Sequence, residues 1–304
     1  MVYTIATNPS LDYTVETDLV PGQINRSRGE YIVPGGKGIN VALMLQRLGR
    51  NSKVVGFAAG HTGRTIRSML DEMGCCHEFL EPVQRGESRI NVKIPGDPET
   101  SINGMGPVLT DEDRDRLLKL LEGVTPDDCV VVSGWTRHIQ FYEKLLERAH
   151  AVGCTTVLDT SGEALWQCLK QRPFLIKPNI HELGELFGFE DLEDVEAVQL
   201  AARLQEEGAR NVLVSMGRRG AFLLTEDHRL YNANAVVRHK ISSVGAGDSV
   251  IAGFLVGLRE TKDFPQALRL GVAAGCATVY NEWLASAEEV LAMVDNITVE
   301  ELEL

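Results

Sequence analysis

The chain has 304 residues, of which 44% are apolar and 24% are charged, as is typical of a globular protein and not of a disordered or fibrous one. Its formal net charge of −13 argues against nucleic acid or an anionic membrane as a partner, because both attract basic surfaces. Apolar runs fall short of the ~20 residues that span a bilayer. The six dispersed cysteines lack the spacing of a zinc site, and we expect a cytoplasmic protein with reduced thiols.

The N-terminal half contains two segments that interrupt the expected order of elements. Residues 12–34 and 88–106 alternate apolar and polar side chains, and Gly96 with Asp97 marks a tight turn in the second segment. Both segments are therefore predicted to supply strands of a small separate sheet. We expect this sheet to form a lid on a single domain spanning residues 1–304.

A glycine-rich turn lies between the first of these segments and a predicted helix. Gly35, Gly36 and Gly38 surround Lys37, and Asn40 follows. The spacing is not that of a Walker A loop, but it lets backbone amides and the Lys37 ammonium converge on a polar or anionic ligand. A merely flexible turn would explain the glycines equally well.

The second inserted segment carries three polar side chains at alternate positions. In a strand, Arg89, Asn91 and Lys93 share one face while Ile90 and Val92 take the other. Such a face is a candidate phosphate cradle, since arginine binds phosphate in a bidentate manner. The alternative is a solvated edge strand whose charges prevent aggregation.

Four short apolar runs follow, at residues 129–133, 155–159, 174–176 and 211–215. They are separated by helical patterns, and this alternation predicts a parallel sheet covered by helices.

Two polar groups follow the last two of these runs. Asn179 and Glu182 share a face in a first helical turn, where their oxygens suit hydrated Mg²⁺, although both could simply cap the helix. Ser215, Gly217 and Gly220 form a turn whose glycines could contact a nucleotide, and a hairpin turn without function is the alternative.

Gly245, Ala246, Gly247 and Asp248 precede a helical pattern near the C-terminus. A helix N-terminus presents free amides and positive potential to a phosphoryl group. Asp248 would then face an acceptor hydroxyl as a general base. The alternative is that Asp248 is an ordinary helix cap.

In this order the motifs resemble those of the PfkB, or ribokinase-like, carbohydrate kinases, over residues 4–285. Six motifs are similar to those of the 1-phosphofructokinase subgroup: residues 7–12 (TNPSLD), 35–41 (GGKGINV), 89–93 (RINVK), 102–104 (ING), 159–165 (DTSGEAL) and 176–179 (IKPN).

The resemblance implies a Rossmann-like three-layer α/β/α sandwich with a small β-sheet lid. It also implies site roles, which fall on residues of this chain that match the family's motifs. The sugar phosphate is expected near Asp12, Gly36, Lys37, Asn40, Arg89, Lys93 and Asn103. The remaining roles are an anion hole at Gly245, Ala246 and Gly247, a base at Asp248, a Mg²⁺ water network at Asn179 and Glu182, and ATP contacts at Ser215, Gly217, Gly220 and Gly247.

Three departures from the family pattern bear on specificity. Trp135 and Arg137 follow Ser133 and Gly134 where relatives continue toward the substrate, and they are expected to reshape the sugar pocket. Ser242 and Ser243 occupy a region that positions a monovalent cation in several relatives, and Trp283 stands where a glycine is common near the adenine.

The function implied is ATP- and Mg²⁺-dependent phosphorylation of D-fructose 1-phosphate, with Asp248 accepting the proton of the 6-hydroxyl. Two alternatives are a tagatose 6-phosphate kinase and a non-catalytic regulator that binds a sugar phosphate on the same fold. We also expect a homodimer through the lid, because exposed strands readily find a partner.

Overall fold

The computed structural model describes residues 1–96 and 99–303. Asp97, predicted in a tight turn with Gly96, lies outside the described residues. The strands are β1 Val2–Ala6, β2 Ser10–Glu16, β3 Gly29–Gly35, β4 Ser52–Phe57, β5 His77–Leu80, β6 Arg89–Ile94, β7 Thr100–Asn103, β8 Cys129–Ser133, β9 Thr155–Asp159, β10 Leu175–Ile176, β11 Asn211–Ser215, β12 Ala221–Leu224, β13 Leu230–Ala233 and β14 Val299–Leu302.

The helices pack on both faces of the main sheet. They are α1 Lys37–Arg47, α2 Gly60–Glu72, α3 Asp111–Leu120, α4 Ile139–Ala151, α5 Gly162–Cys168, α6 Ile180–Phe187, α7 Asp194–Glu206, α8 Ala246–Thr261, α9 Phe264–Val279 and α10 Ala287–Val294. In the described part of the chain, no helix meets the length and apolarity needed to cross a membrane.

The main sheet has ten strands in the order β14-β13-β12-β11-β10-β9-β8-β1-β4-β5. The strands from β11 to β5 run parallel to their neighbours, as predicted for the four apolar runs. The strands β12, β13 and β14 continue the sheet in antiparallel pairing. Because β1 lies between β4 and β8, the order reverses there, which opens a crevice at the carboxyl ends of the strands.

Two apolar clusters cover the two faces of this sheet. One contains buried residues of α1, α2, α8, α9 and α10, and the other contains buried residues of α3, α4, α6 and α7. The layers are therefore helix, sheet, helix, and the predicted α/β/α sandwich is confirmed.

A second sheet of four strands, in the order β3-β2-β6-β7, stands apart from the main sheet. Its strands come from the two inserted segments. We call it the small sheet. The pairing of β2 with β6 aligns Asp12 with Asn91, and the pairing of β6 with β7 aligns Asn91 with Asn103. These three polar residues therefore share one face of the small sheet.

Candidate active site

A cavity of about 910 Å³ lies between the small sheet and the carboxyl ends of the main strands. It brings together all the residues to which the sequence assigned a catalytic, sugar-phosphate, nucleotide or magnesium role. These are Asp12, Gly36, Lys37, Asn40, Arg89, Lys93, Asn103, Asn179, Glu182, Ser215, Gly217, Gly220, Gly245, Ala246, Gly247 and Asp248.

Asp248 lies in the first turn of α8, at the floor of this cavity. Gly245 is the N-cap of α8 and has φ 76°, a left-handed conformation that glycine adopts without strain. The helix has no side-chain cap, so the interpretation of Asp248 as a helix cap is wrong. Its carboxylate is only 5% exposed and accepts a hydrogen bond of 2.8 Å from Asn40 Nδ2.

The environment of Asp248 favours its neutral form. Burial first, and then the negative charge of Asp159, raise the pKa of Asp248 to about 6, against the opposing effects of Lys37, Asn40 and Lys177. A carboxylate with a pKa near the working pH is a stronger base than an ordinary aspartate and remains ionised at neutral pH.

The small sheet faces the cavity with a linked set of polar groups. Asp12 accepts hydrogen bonds from Ser10 Oγ at 2.7 Å and Asn91 Nδ2 at 2.8 Å, and Lys93 Nζ also donates to it. The Nε atom of Arg89 is buried and has no hydrogen-bond partner within the described residues. A buried, positively charged donor without a partner is energetically costly unless a ligand accepts its hydrogen bond. Arg89 Nε is therefore suited to bind an anion.

Strand β6 lies between β2 and β7. The interpretation of residues 89–93 as a solvated edge strand is therefore wrong, because only β3 and β7 are edges of the small sheet.

The glycine-rich turn leads directly into α1. Gly36 is the N-cap with φ 110°, and Lys37 follows as the first helical residue. The Lys37 Nζ atom lies 3.1 Å from Asp159 Oδ2. Burial lowers the pKa of Lys37, but Asp159, Asp248 and Glu182 outweigh this effect and raise it. Lys37 is thus placed near Asp248.

Asn179 and Glu182 form a complete capping box at the start of α6. The Asn179 side chain accepts from two backbone amides, and Glu182 Oε2 accepts from the Asn179 amide at 2.9 Å. The alternative that Asn179 and Glu182 cap the helix is therefore confirmed. It does not exclude a ligand, since both residues also line the cavity.

These residues fit a hydrated magnesium ion and not a fully protein-ligated one. Within residues 1–96 and 99–303 there is no group of three or more His, Cys, Asp or Glu side chains that could hold a metal. The capping box uses only one carboxylate oxygen of Glu182, and the other can accept from a metal-bound water. Mg²⁺ commonly keeps several waters and binds through one or two carboxylates and substrate phosphates.

The opposite half of the cavity combines an apolar wall with the cationic side chains of Arg218, Arg238 and Lys240. Its walls are the turn after β11, which carries Ser215 and Gly217, and one face of α9. Val272, Cys276 and Val279 recur on that face at helical spacing. A flat heterocycle suits such a wall, and anionic groups attached to it suit the cations beside the wall.

The charge of the cavity differs from that of the whole chain. Among the described residues that line it, seven Lys or Arg side chains stand against five carboxylates, although the chain carries −13. The local excess of cations attracts an anion to a protein that otherwise repels it.

Sequence reasoning gave no role to two central residues, Asp159 and Lys177. They follow neighbouring parallel strands, at the ends of β9 and β10, and both line the cavity. Their position at the carboxyl ends of two adjacent predicted strands was the signal that could have identified them.

Two departures from the family pattern lie away from this cavity. The Trp135 indole is 68% exposed and stacks on Arg137, 5.4 Å from ring centroid to guanidinium. Trp283 packs on Arg47 at 5.1 Å. Neither Trp is among the described residues that line the cavity, so the expectation that Trp135 reshapes the pocket is not supported.

An acid of raised pKa beside the free amides of a helix N-terminus suits transfer of a phosphoryl group to a hydroxyl. With this sheet order and a covering small sheet, the fold and the cavity are those of a ribokinase-like phosphotransferase. The chain belongs to the PfkB family, described as "pfkB family carbohydrate kinase", whose sequence profile matches residues 6–289.

Known proteins resemble the chain over nearly its whole length. A 1-phosphofructokinase of Bacillus subtilis is 42% identical and covers 99% of this chain and 100% of its own. A D-tagatose-1-phosphate kinase of Bacillus licheniformis is 33% identical, with 99% and 100% covered. The structure of phosphofructokinase-2 from Escherichia coli in complex with substrates and products has a TM-score of 0.89 at 26% identity, with 97% and 98% covered. The family and these relatives indicate a sugar-phosphate kinase, and the predicted enzyme class is confirmed.

Proposed function

We propose that the protein transfers the γ-phosphoryl group of ATP to the 6-hydroxyl of D-fructose 1-phosphate, giving fructose 1,6-bisphosphate and ADP. The observation that carries this proposal is the cavity with Asp248 at its floor and cationic side chains at its small-sheet end. The names of the relatives at 42% and 33% identity support a ketose 1-phosphate as substrate.

The substrate phosphate would bind to Arg89 and Lys93 in the small sheet. The buried Nε of Arg89 lacks a partner within the described residues, and a phosphate oxygen would supply one. Lys93 is paired with Asp12, and Asp12 and Asn103 would bind the sugar hydroxyls. We assign Lys37 to the transferring phosphoryl instead, because its ammonium group is paired near Asp248.

The chemical step needs one proton acceptor and an in-line attack. The Asp248 carboxylate takes the proton of the 6-hydroxyl as O6 bonds to the γ-phosphorus, and the bond from that phosphorus to the bridging oxygen of ADP breaks. The amides of Gly245, Ala246 and Gly247 at the start of α8 would stabilise the charge that builds on the equatorial oxygens.

ATP would lie along the half of the cavity opposite the small sheet, with its phosphates toward α8. Ser215, Gly217 and Gly220 line this half. Bound Mg²⁺ would neutralise charge on the β- and γ-phosphates. Asn179 and Glu182 would hold its water shell.

A panel assay of ADP release tests the substrate. D-fructose 1-phosphate, D-tagatose 1-phosphate, D-tagatose 6-phosphate and the unphosphorylated ketoses are compared by kcat/KM. We expect fructose 1-phosphate to be preferred. A higher kcat/KM for either tagatose phosphate would replace the proposed substrate. Tight binding of a sugar phosphate without ADP release from any substrate would establish the non-catalytic alternative.

The Asp248→Asn variant tests the base. Loss of general-base catalysis is expected to lower kcat by about 10²–10⁴-fold while KM for the sugar phosphate changes little. The exposed Asp295, at the end of α10, provides a matched control in Asp295→Asn. Turnover of Asp248→Asn close to that of this control would reject the assignment.

We further propose that the small sheet acts as a lid and joins two chains in a homodimer. Its cavity face is polar, but its other face is apolar. Cross-strand pairing aligns Ile32 with Tyr13, Tyr13 with Val92, and Val92 with Ile102. Ile32 and Ile102 remain 49% and 62% exposed, and such a row favours burial against a second apolar surface.

A further inference from the structure

Asp159 is buried at the end of β9 with an unusual set of neighbours. It is 1% exposed, and its Oδ2 and Oδ1 atoms lie 3.1 Å from Lys37 Nζ and 3.5 Å from Lys177 Nζ. Neither oxygen has a hydrogen-bond partner elsewhere in the described residues. A buried ion-pair cluster is weak evidence for a role in stability alone, and Asp159 and both lysines line the cavity, so we look for the role of Asp159 in the site.

The two lysines reach the reacting centre from different elements. Lys37 starts α1, one turn before Asn40, which donates to Asp248. Lys177 follows β10 and is 4% exposed, and a methyl group at Gly247 would stand only 3.0 Å from its Nζ atom. Asp159 therefore holds one cation near the base and another against the anion-hole amides.

We propose that Asp159 is a positioning residue that fixes Lys37 and Lys177 relative to the transferring phosphoryl group and Asp248. The proposal rests on the proposed kinase function. Two like charges on flexible stems separate unless an anion holds both. Without Asp159, the nearby anions that could attract Lys37 are Asp248 and Glu182. An ion pair between Lys37 and Asp248 would keep the base from the substrate proton.

The charges around Asp248 give this arrangement a measurable signature. The groups that face Asp248 are Asp159 from β9, Lys37 and Asn40 from α1, and Lys177 from the segment after β10. Asp159 acts to raise the pKa of Asp248, and Lys177 acts to lower it. Neutralising Asp159 should therefore lower the pKa of Asp248, whereas neutralising Lys177 should raise it.

The test compares Asp159→Asn with Lys177→Gln and a matched control. Asp159→Asn should lower kcat by about 10²-fold, as small misplacements at a reacting centre do, while KM for the sugar phosphate stays nearly unchanged because Arg89 and Lys93 are intact. The acid limb of the pH–rate profile should move to lower pH by at least about half a unit. In Lys177→Gln the limb should move to higher pH.

The control is Asp113→Asn, which changes an equally buried carboxylate outside the cavity. Asp113 is 0% exposed and belongs to the capping box of α3. This variant should lose stability without moving the acid limb. If Asp159→Asn fails to fold, Lys177→Gln still tests the proposal. An acid limb of its pH–rate profile that stays in place or moves to lower pH would overturn the proposal.

A second readout separates this inference from the proposed function. Carboxyl ¹³C NMR of the ligand-free protein, assigned with Asp248→Asn, follows the titration of Asp248 without turnover. Opposite shifts in Asp159→Asn and Lys177→Gln support the inference even if wild-type protein releases no ADP from any substrate, a result that rejects only the kinase assignment. Equal Asp248 titration in wild type, Asp159→Asn and Asp113→Asn overturns the inference.

Discussion

Asp248 binds a proton more tightly in the folded protein than in the unfolded chain, because burial and Asp159 raise its pKa to about 6. The contribution of Asp248 to stability is therefore fully present below its ordinary pKa of about 4 and falls as the pH rises through about 6. The asparagine side chain of the Asp248→Asn variant cannot ionise, so this variant does not lose stability as the pH rises. It is expected to raise the free energy of unfolding by up to about 3 kcal/mol at pH 8 and by little at pH 4. Urea unfolding at both pH values measures this, and an equal change at both would contradict the assigned pKa.

Arg89 should matter to binding and not to the chemical step. If Arg89 binds the substrate phosphate as proposed, Arg89→Ala removes a charge-assisted contact of about 1.5–3 kcal/mol, so KM for fructose 1-phosphate should rise about 10–100-fold with kcat largely retained. KM for ATP should not change. Arg85, on the exposed segment before β6, gives a matched control in Arg85→Ala. A rise in KM of the same size in the control would show that the effect comes from the net charge of the protein and not from a contact between Arg89 and the substrate.

Individual residues were predictable where a local pattern expressed their chemistry. Alternation placed Arg89, Asn91 and Lys93 on one face, and they line one cavity. Asp159 and Lys177 were assigned no role, because their pairing joins the carboxyl ends of two strands, β9 and β10, that are separate segments of the sequence. Such a contact follows from the adjacency of two strands, which is inferred from the alternation of strands and helices along the chain and not from either segment alone.

Close packing of α8 on α9 determines where Asp248 stands. A methyl group at Gly253 of α8 would lie 2.6 Å from the Leu270 carbonyl oxygen and 2.9 Å from Gly271 Cα of α9. Gly253→Ala should therefore push the helices apart, at a cost of about 1–3 kcal/mol, and lower kcat because α8 carries the proposed base, Asp248.

Gly123 provides the matched control for this element. A methyl group there would meet nothing within 4 Å, and Gly123→Ala should leave both stability and kcat nearly unchanged. Thermal unfolding and ADP-release rates of the two variants test the contact. Equal stability of Gly253→Ala and Gly123→Ala would show that the helix pair can adjust without cost.

The elements followed from sequence to different extents. Runs at 129–133, 155–159 and 211–215 match β8, β9 and β11, because buried parallel strands are continuous apolar runs bounded by turns. Strand β14, of sequence VEEL, has mostly exposed residues. Its pairing with β13 fixes it in the sheet, and that pairing is not visible in its composition.

The whole molecule combines an acidic surface with a cationic cavity. Lys and Arg outnumber carboxylates among the described residues that line the cavity, while the chain as a whole is negative. This local excess of cations favours anionic ligands in the cavity, although the chain as a whole repels them. Arg89 and Lys93 lie on the small sheet beside Asp12, whereas Arg218 follows β11 and Arg238 and Lys240 follow β13. Both ends of the cavity therefore offer cations to an anionic ligand.

The outward face of the small sheet predicts the assembly state. If this face joins two chains, Ile102→Asp places a charge in the interface and should convert a dimer into a monomer, since an unpaired buried charge is strongly unfavourable. Val195→Asp is the control, because Val195 is 70% exposed on α7, away from the small sheet. Sedimentation at micromolar concentration should show dimers for wild type and for Val195→Asp, and monomers for Ile102→Asp. A wild type that sediments only as a monomer would exclude assembly through the small sheet, whereas a dimer that persists in Ile102→Asp would place the interface elsewhere.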